Sequence, residues 1–175
     1  MSEATIELLV PAQVELVIAH VARLWATPDE PRSRPYGSDV PFDPEVRTER
    51  YRIAWATPVN QPSWNRTWGL IVDGEVVGHC DLRGGVLASE LHRATLGIAL
   101  EAGHRDRGNG RALCAAAIEW AKDQQLAWID LGVFSVNVRA AALYRKLGFI
   151  EVGVTRDRFR VDGETIDDIA MTLAL

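Results

Sequence analysis

Cysteine is scarce in this chain, which has two among 175 residues, Cys80 and Cys114. They form no CxxC pair, so a disulfide framework and a zinc site with that spacing are both excluded, and we predict no metal. Each thiol is expected to be a small buried side chain. Long apolar runs are also missing. None approaches the roughly 18 residues of a membrane-spanning helix, so no membrane partner is expected.

Basic residues are in deficit as well. Lys and Arg total 19 against 24 Asp and Glu, which gives a formal net charge of −5. Affinity for a phosphate backbone comes from a surplus of Lys and Arg, so nucleic acid is not expected as a partner. The first residues, MSEATIELLV, carry an acid where a secretory signal would carry positive charge. This pattern predicts a cytoplasmic protein.

The residues that are present are typical of a globular protein of mixed class. Hydrophobic residues make up 47% and charged residues 25% of the chain, close to globular averages. The length predicts one domain over residues 1–175. Hydrophobic periodicity and Asp-Gly turns predict α/β architecture. Strands are predicted at 4–10, 68–72, 75–82, 91–100, 127–134, 149–154, 158–161 and 166–175, and helices from 11, at 44–56, at 109–125 and at 138–147.

A glycine-containing loop joins a predicted strand to a predicted helix in the stretch GIALEAGHRDRGNGRAL. Three arginines lie in it: Arg105, Arg107 and Arg111. A helix N-terminus presents unpaired N–H groups and the positive end of the helix dipole. Glycines let the backbone approach a ligand closely. The loop therefore predicts a site for a phosphate-like anion.

Two known phosphate loops fit this stretch poorly. A Walker loop needs Lys and Ser or Thr where Asn109 and Gly110 stand. A dinucleotide fingerprint would need a small residue in place of Leu113, and the preceding antiparallel hairpins also oppose it. The remaining pattern is R-x-x-G-x-G, formed by Arg105, Gly108 and Gly110. It resembles the pyrophosphate loop of the GNAT superfamily of acyl-CoA-dependent N-acetyltransferases.

A second stretch supports the same resemblance. NVRAAALYRKLGF, residues 137–149, is similar to the GNAT signature N-x-x-A-x-x-L-Y-x-x-x-G-F, and one helix plus one strand fit between the two motifs. The resemblance covers roughly residues 66–175. The pattern near the C-terminus is most similar to that of the branch with ribosomal-protein, polyamine and small-amine acetyltransferases. The residues that form this pattern are Arg158, Arg160, Gly163, Asp168 and Met171.

The resemblance implies both a fold and a cosubstrate. The fold would be GNAT-like, a mixed, mostly antiparallel central sheet of about seven strands flanked by about four helices. The cosubstrate would be acetyl-CoA, with its pantetheine arm on the backbone of a strand that splays from its neighbour and its pyrophosphate on the loop amides. The cofactor-binding residues so implied are Ile98, Ala99, Leu100, Arg105, Arg107, Gly108, Asn109, Gly110, Arg111, Asn137, Ala140 and Tyr144.

Tyr144 matches the position of the family's usual general acid. A phenol with a pKa of about 10 can donate a proton to a thiolate whose conjugate acid has a pKa near 8.5. The alternative for Tyr144 is a core tyrosine whose hydroxyl bonds a backbone carbonyl. Covalent catalysis through Cys80 is disfavoured, because its neighbour His79 would face the other side of a strand.

A general base is also needed, because an alkyl amine titrates near 10 and is mostly protonated at neutral pH. The strand predicted at 91–100 has no carboxylate in its middle, which departs from several branches of the family. The candidates for this base are Glu90, Asp81, Asp130 and His92, with Ser135 as a residue that could hold a water or polarise the thiol. The alternative for each of them is an ordinary polar residue on the surface or in a turn.

The acceptor is predicted from residues 27–45. This segment contains Asp29, Glu30, Asp39, Asp43 and Glu45, and we expect Trp64 and Trp68 to join it in an acidic, aromatic pocket for a cationic amine. The alternative is a solvated loop with core-packing tryptophans.

These features together predict the transfer of an acetyl group from acetyl-CoA to a primary amine of a small molecule or a protein N-terminus. The amine would attack directly within a ternary complex. A non-catalytic acyl-CoA binding or sensing domain and a nucleotide-binding phosphotransferase are the alternatives. Homodimers are common among such folds, although no segment of this sequence specifies an interface.

Overall fold

The computed structural model describes residues 4–28, 32–37 and 39–175. Eleven longer elements follow one another along the chain, with one turn of 3₁₀-helix at Pro11–Gln13, Ala88–Glu90 and Ala102–His104. The four helices are α1 Val14–Ala26, α2 Pro44–Ala56, α3 Asn109–Asp123 and α4 Val138–Lys146. The seven strands are β1 Thr5–Leu8, β2 Asn65–Val72, β3 Glu75–Gly84, β4 Arg93–Leu100, β5 Trp128–Phe134, β6 Ile150–Val161 and β7 Glu164–Ala174.

The strands form one sheet in the order β1-β2-β3-β4-β5-β7-β6. All neighbours are antiparallel except β4 and β5, which are parallel. A parallel pair needs a crossover connection, and α3 supplies it between β4 and β5. This mixed, mostly antiparallel sheet with four helices confirms the predicted fold class. None of the helices among the described residues has the length and apolar character needed to cross a bilayer.

The two faces of the sheet carry separate cores. Helices α1 and α2 cover one face, where Val17, Trp55 and Val76 belong to one apolar cluster. Helices α3 and α4 cover the other face, where Leu82 and Leu113 belong to a larger cluster. Because side chains alternate along a strand, each strand residue can be assigned to the "α1/α2 face" or the "α3/α4 face".

The pattern near the C-terminus departs from the prediction. Residues 149–154 and 158–161 were expected as two strands, but they lie in one continuous strand, β6. The pairing of β6 with β7 is irregular between Thr155 and Phe159. Asp157 lies there with a positive φ of 49° and donates its N–H to Asp167 Oδ1 at 2.9 Å. A local bulge within β6, rather than a loop between two strands, therefore explains why polar residues interrupt the apolar pattern there.

Trp64 and Trp68 do not join an aromatic acceptor pocket, and the alternative, that they pack in the core, is confirmed. Trp64 and Trp68 are buried on the α3/α4 face, where both rings pack against Trp120. In residues 27–45, Tyr36 and Phe42 pack instead against Trp25 of α1. Asp43 caps α2 by accepting from Val46 N at 3.0 Å. Asp29 and Glu30 lie outside the described residues.

A glycine at the end of β3 makes room for one of these tryptophans. A Cβ added to Gly84 would lie 2.2 Å from Nε1 of Trp64, whose ring is fully buried. Gly84 also donates its N–H to the Trp64 carbonyl at 2.9 Å, so the two backbones cannot move apart without losing that bond.

We therefore expect Gly84→Ala to lower the free energy of unfolding by about 1–3 kcal/mol, because the methyl group overpacks a rigid indole. Urea denaturation followed by tryptophan fluorescence measures the change. Gly153→Ala in β6 is the matched control, since nothing lies within 4 Å of its added Cβ. Its effect should stay within about 0.5 kcal/mol, and equal losses in both variants would contradict the packing argument.

Candidate active site

The site is organised by a gap between β4 and β5. Their parallel pairing covers three residue pairs and ends at Thr95 and Asp130. Both strands continue beyond this point, β4 to Leu100 and β5 to Phe134, without pairing to each other. The backbone of β4 is therefore left without a strand partner along one edge at its C-terminal end.

A polar cluster fixes the point where the gap begins. Asp130 accepts two hydrogen bonds from Arg93, at 2.7 and 2.6 Å, and one from Thr172 Oγ1 at 2.7 Å. Burial would raise the pKa of Asp130, but the hydrogen bonds from Arg93 and Thr172 hold it below its usual range. Asp130 is therefore a structural acid with its oxygens occupied, although the sequence also suggested it as a base.

The free edge of β4 presents alternate backbone groups to the gap. Glu101 donates its N–H to the Val77 carbonyl of β3 at 3.0 Å. Because backbone groups alternate along a strand, Ala99 faces β3 in the same way, whereas Ile98 and Leu100 face the gap. The Leu100 carbonyl accepts a hydrogen bond from Nε of Arg105 at 2.9 Å. Among the described residues, the groups left facing the gap without a partner at this end are thus the amide and carbonyl of Ile98 and the Leu100 amide.

The loop that follows β4 has the geometry of an anion cradle. Gly108 caps α3 with a positive φ of 82°, and the first intrahelical bond runs from Ala112 N to Gly108 O. The amides of Asn109, Gly110 and Arg111 precede that bond, so they have no acceptor within the helix. Asn109 Nδ2 donates to the His104 carbonyl at 2.9 Å and holds the loop closed.

The three loop arginines differ in how far they are exposed. The Arg105 guanidinium is held at the end of β4, whereas Arg107 and Arg111 are exposed. Asp106 forms an ion pair with Arg139 of α4. The second predicted motif is therefore tied directly to the predicted phosphate loop.

Helix α4 lies beside this loop. Its N-cap is Asn137, whose Oδ1 accepts from Ala140 N at 3.2 Å. A Cβ on Gly110 would lie 3.4 Å from Leu143 and 3.7 Å from Ile98. The N-terminus of α3, the end of β4 and α4 thus converge at the gap. Ser135 lies just past β5 and donates its N–H to Asp167 O at 2.9 Å.

Tyr144 is the buried phenol on the α3/α4 face of this region, with 6% of its surface exposed. Its ring packs against Phe149, with 5.8 Å between ring centroids. Burial first, and then the nearby thiols of Cys114 and Cys80, raise the pKa of Tyr144. Cys80 is the register partner of Ile98. Tyr144 is therefore a neutral phenol near the edge of β4 that borders the gap.

The two cysteines are free and buried, as expected. The hydrogen bond with Cys114, followed by burial, raises the pKa of the Cys80 thiol. A thiolate is the nucleophilic form of cysteine, so this position suits a structural thiol better than a catalytic one.

Asp81 is the buried carboxylate on the α1/α2 face, with 7% of its surface exposed. Its Oδ1 accepts from Thr67 Oγ1 at 2.6 Å, and Tyr51 OH lies 3.5 Å from its Oδ2. Burial first, and then the charge of Asp81, raise the pKa of Tyr51. The register partner of Asp81 is Gly97, the residue at the gap on β4.

Two buried histidines extend this polar row along the α1/α2 face. His79 Nε2 lies 3.8 Å from Asp81 Oδ2, and its ring meets the edge of His20 with 5.1 Å between centroids. His20 Nδ1 lies 2.8 Å from Glu101 Oε1. Burial, and then the charge of His79, lower the pKa of His20 to about 4. Within the described chain, His20 Nε2 and His79 Nδ1 are buried without a partner.

The structure does not bring Glu90 to the gap. Glu90 lies in the 3₁₀ turn before β4, at the opposite end of that strand, where its carboxylate accepts from Leu87 N at 3.3 Å and lies over Gly85. His92 precedes β4 at the same end. Of the predicted bases, Asp81 lies beside the open part of the gap, as the register partner of Gly97.

Four residues at the gap were not assigned to the site from the sequence, although one of them, Asp168, belongs to the closing family pattern. Gly97 and Gly132 lie on its two sides, with Arg83 over the first and Asp168 over the second. Side-chain alternation places both glycines on one face of the sheet once the strand register is known, and the sequence alone does not give that register. Among the described residues, no group of three or more His, Cys, Asp or Glu side chains could hold a metal ion.

Comparison with known proteins gives consistent matches. A model of the acetyltransferase (GNAT) family matches residues 24–149. Streptothricin acetyltransferase of Escherichia coli is 28% identical over 77% of this chain and 76% of its own length. The L-amino acid N-acetyltransferase AaaT of Escherichia coli K12 is 31% identical over 55% of this chain and 60% of its own.

A solved structure agrees with this match at the level of the fold. The protein yncA of Salmonella typhimurium, solved with its cofactor acetyl-CoA, superposes with a TM-score of 0.81 at 17% identity. The superposition covers 98% of this chain and 94% of that one.

Proposed function

The chain belongs to the GNAT family of acetyltransferases, and from that premise we propose that it acetylates a primary amine of a small molecule or of a protein N-terminus. The amine attacks acetyl-CoA directly in a ternary complex. The observation that carries the proposal is the gap between β4 and β5, with a phenol near it on one face and a carboxylate on the other. Streptothricin and amino acids, the acceptors named for two relatives, both contain amines.

The residues around the gap fit acetyl-CoA. The free backbone groups of Ile98 and Leu100 would pair with the pantetheine arm as an added strand does. The amides of Asn109, Gly110 and Arg111 would take the pyrophosphate at the N-terminus of α3, with Arg107 and Arg111 adding positive charge. Arg105 acts here as a positioning residue for Leu100. Asn137 would offer its side-chain amide to the arm, and Ala140 leaves space beside α4.

The chemistry uses both faces of the sheet. Bound acetyl-CoA supplies the acetyl group as a thioester. Asp81, through a bridging water, accepts a proton from the acceptor ammonium. The nitrogen lone pair then forms the C–N bond, the C–S bond breaks, and the Tyr144 hydroxyl gives its proton to the departing sulfur. The second proton leaving nitrogen restores Tyr144, so the products are the N-acetyl amine, CoASH and one proton. Ser135 is a further residue that could orient the water or the thiol.

The first test concerns the loop. Gly108 has φ +82°, a conformation that costs an L-residue with a Cβ about 1–2 kcal/mol. We expect Gly108→Ala to weaken acetyl-CoA binding about tenfold in calorimetry. Gly103→Ala is the matched control, because nothing surrounds its added Cβ and its φ is ordinary. Equal affinity in both variants would remove the α3 N-terminus as the pyrophosphate site.

The second test concerns the acid. Tyr144→Phe removes one hydroxyl from a packed ring, so we expect kcat to fall at least tenfold while the Kd for acetyl-CoA stays within twofold. CoASH release in a thiol assay measures turnover. Unchanged turnover would exclude Tyr144 as the proton donor. Failure of the unmodified protein to release CoASH with any amine in a broad panel would favour the acyl-CoA binding module instead.

The third test concerns the base. Asp81→Asn keeps the hydrogen bond from Thr67 but cannot accept a proton, so kcat/KM at pH 7 should fall about a hundredfold. Because the fraction of neutral amine rises tenfold per pH unit below its pKa near 10, the loss should shrink as the pH rises. A pH–rate profile from pH 6 to 9.5 measures this. Glu90→Gln is the control and should leave the pH–rate profile unchanged. A larger loss of kcat/KM in Glu90→Gln than in Asp81→Asn would identify Glu90, and not Asp81, as the base.

A further inference from the structure

We propose that Arg83 and Asp168 are the residues that select the acceptor, and that the preferred acceptor is a zwitterion with a carboxylate beside its primary amine, such as an α-amino acid. The inference rests on the proposed acetyl transfer and adds the acceptor class. Its basis is a pair of opposite charges held over two glycines at the gap.

The glycines form an opening in the sheet. Gly97 of β4 and Gly132 of β5 each lie two residues past the last paired residues, Thr95 and Asp130. Alternation puts both on the α1/α2 face, the face that also carries Asp81, the register partner of Gly97. With no side chain from either strand at this level, the gap stays open between the acceptor side and the cofactor side.

Arg83 occupies one side of the opening. Its Nη2 lies 3.1 Å from the position that a Cβ of Gly97 would take. Arg83 is exposed, and no carboxylate of the described residues forms an ion pair with it. By contrast, Arg93 on the same face is engaged by Asp130. A guanidinium fork with free N–H groups is suited to binding a carboxylate through two parallel hydrogen bonds.

Asp168 occupies the other side. Its Oδ1 lies 2.8 Å from the position that a Cβ of Gly132 would take. Burial raises the pKa of Asp168 and the charge of Arg158 opposes that shift. Among the described residues, no donor forms a hydrogen bond with its carboxylate. A partly buried carboxylate without donors gains most from a cation placed beside it, and an ammonium group supplies both charge and donors.

The pair matches one kind of molecule. A monoamine would satisfy Asp168 and leave Arg83 unpaired, and a polyamine would bring a cation towards Arg83. An α-amino acid carries one carboxylate and one ammonium in a single small molecule, one group for Arg83 and one for Asp168, with its nitrogen at the opening. Asp168 therefore binds the ammonium before Asp81 accepts its proton.

The test compares matched acceptors with acetyl-CoA held constant. The probes are L-amino acids, their carboxamides and the corresponding amines that lack the carboxylate, with CoASH release as the readout. For the unmodified protein we expect kcat/KM to be at least tenfold higher for an amino acid than for its carboxamide or amine. Arg83→Gln should lower kcat/KM for the amino acid at least tenfold and leave the carboxamide within twofold, and Arg83→Lys should recover part of the loss. Asp168→Asn should raise KM for all three classes.

The controls separate this inference from the proposed function. Arg52→Gln removes an exposed arginine of α2 that pairs with Glu15, and it should change nothing. Acetyl-CoA calorimetry on each variant establishes that its cofactor site is intact. If amines or polyamines are acetylated as well as amino acids, or if Arg83→Gln affects acid and carboxamide equally, the zwitterion proposal is overturned while the acetyltransferase proposal stands. If no acceptor in any class releases CoASH, both are overturned.

Discussion

The whole site depends on where β4 and β5 part. Adjacent strands in a sheet normally satisfy each other's backbone groups, and a buried group left unpaired costs about 1–3 kcal/mol. Here the pairing stops after Thr95 and Asp130, at the level where Arg93, Asp130 and Thr172 bond one another. The β4 edge beyond them keeps free hydrogen-bonding groups, and a ligand that pairs with them recovers what a strand would have supplied. The divergence thus leaves part of the sheet unpaired, and it is also the basis of the binding that we propose.

The sheet also separates the two groups proposed to transfer protons. Tyr144 lies on the α3/α4 face among apolar side chains and two thiols, and it stays neutral because burial disfavours the phenolate. Asp81 lies on the other face, beside Thr67 and His79. If the acid and the base shared one face, they could bond each other and neither would be available to the substrate. In the proposed reaction, the nitrogen and the sulfur meet in the gap, and each would have one of these groups on its own side of the sheet.

Local signals in the sequence predicted local structure well. Gly108 at the start of α3, Gly148 with φ +95° at the end of α4 and the Asp73–Gly74 hairpin are each set by the conformation of one or two residues. The family and the fold class follow from such signals, and so does the prediction of a phosphate loop. Trp64 and Trp68 could not be placed in this way, because their positions depend on the face that each strand buries. Glu90 does precede β4, but only the pairing of β4 with β5 shows that the gap lies at the other end of the strand. Asp168 matched a family pattern, yet its place over Gly132 needs the alignment of β5 with β7.

The buried histidines show how the α1/α2 face limits the conditions under which the site is intact. His20 has a pKa of about 4 in the folded protein and about 6.5 when exposed, so the folded state binds fewer protons between those values. The shifted titration of His20 has no effect on the free energy of unfolding above pH 6.5. As the pH drops from there towards 4, the unfolded state binds the proton more readily, so stability falls. Burial likewise lowers the pKa of His79, with the same sign. An amine acceptor becomes more reactive as the pH rises, so the row from Glu101 to Asp81 is stable in the range where the proposed reaction is favoured.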